Sequence, residues 1–378
     1  MFHLRKKDII STSIVRVKRT ISERYAREEK EMAQLAKKAA VLAMAGVVTA
    51  TAITGCGSSI DTEKTVMTVG KEEVPLGVAN FYARFTQGQY ETYYAGMMGT
   101  TPDAMWDTDA EKGKTYEETV KEEVIDALTN LYVISQHAAE YEVTLTDEDQ
   151  NAIKKAAEQF DAENSDEVKQ AVSGYRKDIE KYLELVAIQS KMLPKMQEGA
   201  NVEVTDEEAA QKSMDYVEIS YNATDETGAS TEMTEEEKTA SKEKLQSLAD
   251  RVKAGESLEE VAAELGLEVK KAAFDSQGTT PSAELVKAAD ALAAEGDVTE
   301  VVESASGVAF AKITSMLDRE ATDQKKASIV EQRKQEQYNT LLEKWKKDTK
   351  VTVKKNVWKK VDFSDHGVTI LRSEEEQK

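Results

Sequence analysis

The chain has little of the residue types that form crosslinks, metal sites and tight turns. Its 378 residues include one cysteine, three histidines and four prolines. A single cysteine cannot form an internal disulfide, so packing must stabilise the fold. His137 stands on a helical segment with no second histidine or cysteine nearby, and the acidic segment after Asp107 has Lys112 where a calcium loop needs glycine. We therefore predict no metal and no cofactor.

Positive charge is also scarce. The chain has 50 Lys and Arg residues against 71 Asp and Glu, and its net charge is −21. Nucleic-acid binding depends on cationic side chains that neutralise phosphates, so this composition argues against a nucleic-acid partner. The acidity suits a well-solvated exported protein.

The apolar run near the N-terminus, residues 39–53, is preceded by Lys37 and Lys38 and followed by Gly55 and Cys56. It is shorter than the roughly 20 residues that a membrane-spanning helix needs, and a basic start, a short apolar stretch and small residues are typical of an export signal. The sequence Ile-Thr-Gly-Cys resembles the lipobox of bacterial lipoproteins. That resemblance implies cleavage before Cys56, a lipid on its sulfur, and a location at the outer face of the bacterial cytoplasmic membrane. A buried free thiol is the alternative.

Residues 1–31 are highly charged and do not resemble a signal, whereas Met32 stands where one would begin. We therefore expect translation to start at Met32. The predicted segments are a non-native extension (1–31), a signal peptide (32–55), a tether (56–65), a helical N-terminal segment (66–212), a mixed unit (213–318), a C-terminal helix and strand (319–363) and a polar tail (364–378).

Periodicity and capping residues predict a helix-rich α+β fold. Apolar positions at helical spacing predict helices over 116–141 and 166–196, and the Gly- and Thr-rich segment 98–114 predicts a loop. Capping-box spacings at Thr205, Thr234 and Ser257 predict helix starts. Between 213 and 318 we expect strands and short helices, followed by a long helix from about Asp323 to Lys347.

The order of elements in 213–318 carries a family resemblance. Its most specific parts are the link 254–258, the segment 296–299 after Leu292, and the strand that begins at Gly307 and ends at Ile313. Together they resemble the parvulin-type prolyl isomerase domain. The flanking segments 66–82 and 341–358 resemble the PrsA/SurA-type exported foldases.

The resemblance implies a helical chaperone domain built from both chain ends, with a small parvulin-like α/β unit inserted between them. It implies that the partners are unfolded or proline-containing exported polypeptides and that a lipid anchors the protein in the membrane. A homodimer is possible under this resemblance. Active parvulins carry two inward-facing histidines, but Glu218 and Ala309 stand at those positions, and the family's Gly-rich turn is replaced by 274–282. The catalytic residues therefore stay unassigned.

Three functions remain open at this point. The first is a foldase whose isomerase unit is active without histidine. The second is a holding chaperone with a relic isomerase unit. The third is a solute-binding lipoprotein, which would require alternating strands and helices around a ligand cleft.

A Met- and aromatic-rich segment offers candidates for peptide binding, because flexible methionines suit promiscuous surfaces. We expect exposure for much of this set: Tyr82, Tyr90, Tyr93, Tyr94, Met97 and Met98. Core packing is the alternative, and it is favoured for Phe81 and Phe85.

Overall fold

The structure is a computed structural model that describes residues 47–51, 60–97, 99–110, 113–224, 230–365 and 367–371. The N-terminal extension, Met32, Cys56 and Met98 lie outside the described residues. The fold mixes long helices with small antiparallel sheets, so the predicted α+β class is confirmed.

The first half of the chain is mainly helical. Its elements are β1 (Val47–Thr51), β2 (Thr65–Val69), β3 (Glu72–Pro75), α1 (Leu76–Gln89), a π-helix (Tyr90–Tyr94), α2 (Pro102–Trp106), α3 (Tyr116–His137), a 3-10 turn (Ala138–Tyr141), α4 (Asp147–Glu163), α5 (Asp166–Val172), α6 (Arg176–Met196) and α7 (Asp206–Ala209).

The second half contains most of the strands. Its elements are β4 (Lys212–Ser220), β5 (Asn222–Thr224), β6 (Ser230–Glu232), α8 (Glu235–Lys253), α9 (Leu258–Glu264), β7 (Lys270–Phe274), α10 (Ala283–Asp290), β8 (Val302–Ser304), β9 (Gly307–Ser315), α11 (Arg319–Asp348), β10 (Val351–Val353), α12 (Lys355–Trp358), a 3-10 turn (Phe363–Asp365) and β11 (Gly367–Leu371).

The chain divides into two compact units. Unit 1 contains the chain up to Glu198 and again from Gln337 onward, and unit 2 is Gly199–Glu336. The predicted mixed segment 213–318 lies within unit 2. Each unit has apolar clusters of its own, with one large cluster in unit 1 and two smaller ones in unit 2.

Unit 1 joins both ends of the chain in one core. Strand β10 pairs antiparallel with β2, which forms a hairpin with β3, and Gly70 makes the turn with a φ of 60°. Helices α1, α3, α4 and α6 pack around a core rich in aromatic side chains. Trp345 of α11 and Phe363 are buried in the same cluster.

Unit 2 is a four-stranded antiparallel sheet in the order β7-β4-β9-β8 with helices on both faces. Val217 and Phe310 face α8 and α9, whereas Met214 and Ala311 face α10. Side chains alternate between faces along a strand, so each strand contributes to both clusters.

Three predictions about local structure are wrong. Segment 166–196 is two helices, because Ser173 takes a left-handed conformation with φ 54° and ends α5. The predicted loop 98–114 contains the short helix α2, which Thr101 caps by accepting a hydrogen bond from the Ala104 N–H. The predicted polar tail contains β11, whose Val368 is fully buried.

Among the described residues, none of the helices is both long enough and apolar enough to cross a membrane. A strand, β1, occupies part of the predicted signal segment. The signal peptide itself stays a prediction.

Candidate functional site

The two positions that replace the family's histidines lie opposite each other in unit 2. Glu218 on β4 and Ala309 on β9 form one cross-strand pair, and Ala309 also pairs with Val302 on β8. Side chains paired in this way have Cβ atoms about 4.5–5.5 Å apart. The fold therefore brings together the two positions that correspond to the family's histidines.

This pair lies on the sheet face that α10 covers. Ala309 is buried in the same apolar cluster as Tyr216 and Phe274, together with Leu285 of α10. Val302 is only partly buried at the edge of this cluster. The face is therefore an apolar surface that is closed beneath α10 and more open toward β8.

A lysine missed by sequence reasoning lies beside Glu218. The Lys270 Nζ is 3.7 Å from Glu218 Oε2, and the Glu218 side chain is 23% exposed. Lys270 on β7 is the cross-strand partner of Tyr216. Burial raises the pKa of the Tyr216 hydroxyl above its ordinary value, and the Lys270 charge partly opposes this rise. The β7 pairing register, which the sequence does not give, was needed to find this group.

The pair cannot reproduce a histidine–histidine hydrogen bond. Alanine has no polar side-chain atom, and an ionised carboxylate only accepts hydrogen bonds. Prolyl isomerisation forms no covalent bond and needs a site that binds the twisted amide more tightly than the planar one, against a barrier of about 18–20 kcal/mol. The apolar face and the Glu218–Lys270 pair remain as the groups that a peptide could contact here.

The segment that replaces the Gly-rich turn is fixed by Asp275. Its Oδ2 accepts hydrogen bonds from Gln211 Nε2 and Lys325 Nζ, each at 3.0 Å, and its Oδ1 accepts from the Gln277 N–H at 2.9 Å. Hydrogen bonding from Gln211, followed by that from Lys325, lowers the pKa of the Asp275 carboxyl. The turn is therefore held by side-chain contacts within unit 2.

A cavity of about 460 Å³ lies elsewhere in unit 2. Its lining residues are Val252, Lys253, Leu292, Gly296, Asp297, Val298 and Lys312. Neither Glu218 nor Ala309 borders it. Within the described part of the chain, no group of three or more histidine, cysteine or acidic side chains could hold a metal ion.

Much of the predicted peptide-binding segment is buried in the core of unit 1. Tyr90 and Tyr94 are buried, so the expectation that they are exposed is wrong. Tyr90 and Tyr94 lie in a π-helix, in which each N–H bonds to the carbonyl five residues earlier, as the Ala95 N–H does to the Tyr90 carbonyl at 3.1 Å. Side chains in this segment therefore do not point in the directions that a periodicity of 3.6 residues predicts.

The other candidates differ in exposure. Tyr82 and Tyr93 are partly buried, and the Tyr82 ring stacks on Tyr182 with centroids 5.0 Å apart. Met97 is 62% exposed. Peptide binding by these residues stays a prediction. Phe81 is buried in the core as expected, and Phe85 is half-buried.

Part of unit 2 is similar to a known domain family. The sequence model of the PPIC-type PPIASE domain (Rotamase) matches residues 223–315, which include Ala309 but not β4. No curated protein matches the chain.

Three solved structures are similar to this chain at low sequence identity. The foldase protein PrsA from Lactococcus lactis is 15% identical, with 80% of this chain and 98% of that chain covered and a TM-score of 0.32. PrsA from Streptococcus pneumoniae is 16% identical, with coverage of 67% and 96% and a TM-score of 0.30. A SurA-like chaperone from Campylobacter jejuni is 11% identical, with coverage of 76% and 98% and a TM-score of 0.28. The predicted parvulin resemblance is confirmed by the sequence match, because residues 223–315 are similar to the PPIC-type PPIASE domain.

Proposed function

We propose that this protein is a membrane-anchored extracytoplasmic foldase that assists the folding of exported proteins. The observation that carries the proposal is the PPIC-type domain at 223–315, set between two chain segments that fold together as unit 1. In this proposal unit 1 holds unfolded polypeptides and unit 2 binds their X-Pro segments. The lipid on Cys56 would keep both near the point where chains emerge, which raises their effective concentration there.

The Glu218–Ala309 pair favours a second candidate, a holding chaperone that does not catalyse isomerisation. Without a hydrogen-bonding partner at Ala309, Glu218 is the only side chain of the pair that can respond to a twisting amide. The domain would then serve as a clamp for peptides.

A refolding assay separates the two candidates. The protein is the full chain carrying Cys56→Ser, and the client is one whose slow refolding phase is limited by X-Pro isomerisation, which takes tens of seconds or more at 25 °C. Acceleration at substoichiometric concentration supports catalysis. Suppressed aggregation with an unchanged slow phase supports the holding chaperone.

A control client sharpens this assay. A client that refolds without a proline-limited phase should show no acceleration, because catalysis acts only on the X-Pro bond. If the protein changes neither the refolding rate nor the aggregation of either client, the proposed function is wrong.

The lipid anchor requires a separate test in cells. We expect the native chain to incorporate labelled palmitate and to sediment with membranes. The Cys56→Ser variant should lose the label and appear in the soluble fraction. Membrane sedimentation of unlabelled Cys56→Ser would contradict the anchor.

A further inference from the structure

Strand β11 is fastened to unit 1 along one edge. The Val368 N–H donates to Glu91 Oε2 at 2.6 Å, and the Ile370 N–H donates to Thr92 Oγ1 at 3.0 Å. Both acceptors lie on the π-helix that follows α1. Side chains of this helix therefore take the hydrogen-bonding positions that a neighbouring strand would otherwise occupy on this edge.

Strand β11 packs closely against α1 and the π-helix. Val368 is fully buried, and a Cβ placed on Gly88 of α1 would lie 2.9 Å from a Val368 methyl group. Glu91 also accepts a hydrogen bond from Trp106 Nε1 at 2.8 Å, which fixes its carboxylate. These contacts with α1 and the π-helix hold β11 without involving β1.

The other edge of β11 pairs with β1. The two strands are antiparallel, with Val47 opposite Leu371, Thr49 opposite Thr369 and Thr51 opposite Gly367. Backbone groups alternate between the two edges of a strand, and those of Val368 already point to the helix. The residues of β1 that exchange hydrogen bonds with β11 are therefore 47, 49 and 51.

The same segment, Val-Val-Thr-Ala-Thr, belongs to the predicted signal peptide. Cleavage before Cys56 would remove β1 from the mature chain and leave the backbone groups of β11 on this edge without a partner strand. Edge strands of this kind are templates for a further strand.

We propose that the open edge of β11 binds an extended segment of an unfolded client by strand addition. The occupant of the site in this structure defines the chemistry of the client segment, which is uncharged and made of β-branched and small residues. Main-chain hydrogen bonds supply most of the affinity in this binding mode, so many sequences fit. This inference rests on the proposed function, because it names where unit 1 of a chaperone would hold its clients.

The test uses the full chain with Cys56→Ser and a specific protease site introduced between Thr51 and residue 56. The uncut protein keeps β1, and cutting followed by gel filtration should release it. A fluorescent peptide with the sequence of residues 44–54 is then added to each preparation. We expect the peptide to bind the cut protein and to bind the uncut protein at least about tenfold more weakly, because covalently attached β1 competes for the site.

Two N-methylated peptides provide a matched pair that leaves the protein unchanged. N-methylation at the residue equivalent to Thr49 removes a donor that faces β11 and should weaken binding by about tenfold or more. N-methylation at the residue equivalent to Val48 alters the outward edge and should leave binding within about twofold. An unfolded client should displace the peptide from the cut protein.

Two outcomes overturn the inference. They are equal weakening by both N-methyl groups and failure of the client to displace the peptide. An aggregation assay on the same cut protein keeps the proposed function separate. If the cut protein suppresses client aggregation but fails the peptide test, the function stands and the β11 site is wrong.

Discussion

The two units differ in where they place charge. Unit 1 buries Arg84 and Asp178, which are 1% and 3% exposed, whereas the polar side chains buried in unit 2 are uncharged among the residues described. Unit 2 keeps its charges in partly exposed pairs such as Arg251 with Glu264 at 2.7 Å. Buried charge is costly unless it is paired and hydrogen-bonded. The stability of unit 1 should therefore depend on groups that unit 2 does not have.

A chain of contacts accompanies the buried arginine of unit 1. Arg84 donates to Gln87 Oε1, and Gln87 Nε2 donates to Glu91 Oε1, each at 2.7 Å. Burial lowers the pKa of Arg84 to about 10 and raises the pKa of Glu91. Glu91 is also the side chain that fixes β11, so this cluster links the core of unit 1 to its C-terminal strand.

Carboxyl groups in unit 2 shift in the opposite direction. Hydrogen bonds from Lys326 and then Arg319 lower the pKa of the Asp206 carboxyl to about 2, and Lys242 followed by Tyr221 lowers that of Glu303. Their charged forms are favoured in the folded state. In unit 1, hydrogen bonds from Lys169 and Arg176 likewise lower the pKa of the exposed Asp161 carboxyl, whereas burial raises the pKa of Asp178 and Glu91. The contrast in pH dependence therefore comes from these two buried carboxyls of unit 1.

The largest expected effect tests whether the units unfold separately. Phe310 is fully buried in the centre of the unit 2 sheet, so Phe310→Ala should destabilise unit 2 by about 3–5 kcal/mol. All three tryptophans (Trp106, Trp345 and Trp358) belong to unit 1. Denaturant unfolding should therefore show an early transition by circular dichroism and an unchanged transition by tryptophan fluorescence.

Phe160→Ala is the matched variant for unit 1. Phe160 is 2% exposed and packs edge-to-face on Phe81 with ring centroids 5.6 Å apart. This variant should shift the fluorescence transition by a similar free energy. If Phe310→Ala shifts the fluorescence transition as much as Phe160→Ala does, the two units unfold as one and the comparison fails.

The next prediction concerns pH. Burial raises the pKa of Asp178 from 3.8 to about 6. The folded state thus binds this proton more tightly, so the contribution of Asp178 to the stability of unit 1 is largest below about pH 4, and about 3 kcal/mol of it is lost as the pH rises through 6. Asp178→Asn should remove most of this loss and stabilise unit 1 at pH 7. The check is fluorescence-detected unfolding of both proteins from pH 4 to 7, and parallel profiles would contradict the prediction.

Sequence reasoning succeeded where local rules decide the structure. The capping threonine of α8 (Thr234) and the apolar stripe of α3 gave helix positions close to those observed. It failed where a distant contact decides. The break at Ser173 coincides with a hydrogen bond from Asn80 Nδ2 to its hydroxyl at 2.9 Å, and a Cβ on the next residue, Gly174, would lie 2.4 Å from the Phe160 ring.

The candidate site shows the same division. The positions of Glu218 and Ala309 followed from the motif order, and the strand register confirms that they face each other. Lys270 could not be found in this way, because its approach depends on β7 pairing with β4. Strand β11 was not predicted because the side chains that accept its backbone hydrogen bonds, Glu91 and Thr92, are distant in the sequence.

A double substitution in unit 2 tests whether the two units also differ in activity. Glu218→His with Ala309→His restores two imidazoles to the cross-strand pair, and one hydrogen bond that strengthens in the transition state corresponds to about a tenfold rate increase. The proline-limited refolding assay measures this change. The double variant should leave suppression of client aggregation unchanged, since we assign holding to unit 1. No gain from a well-folded double variant would mean that the rest of the proline site is missing.

The smallest effect comes from the helix caps, and it divides by unit in the same way. Thr146 begins α4 in unit 1 and Thr234 begins α8 in unit 2, each in a reciprocal capping box. Either Thr→Ala change should cost about 1 kcal/mol. Thr146→Ala should shift the tryptophan fluorescence transition, whereas Thr234→Ala should shift only the circular dichroism. In unit 1 the capping carboxylate of Asp149 also binds Lys191 of α6 at 2.5 Å, so the effect of Thr146→Ala should be the larger. Equal fluorescence shifts from both variants would show that loss of the α8 cap also destabilises unit 1. The two units would then have separate cores but would not unfold independently.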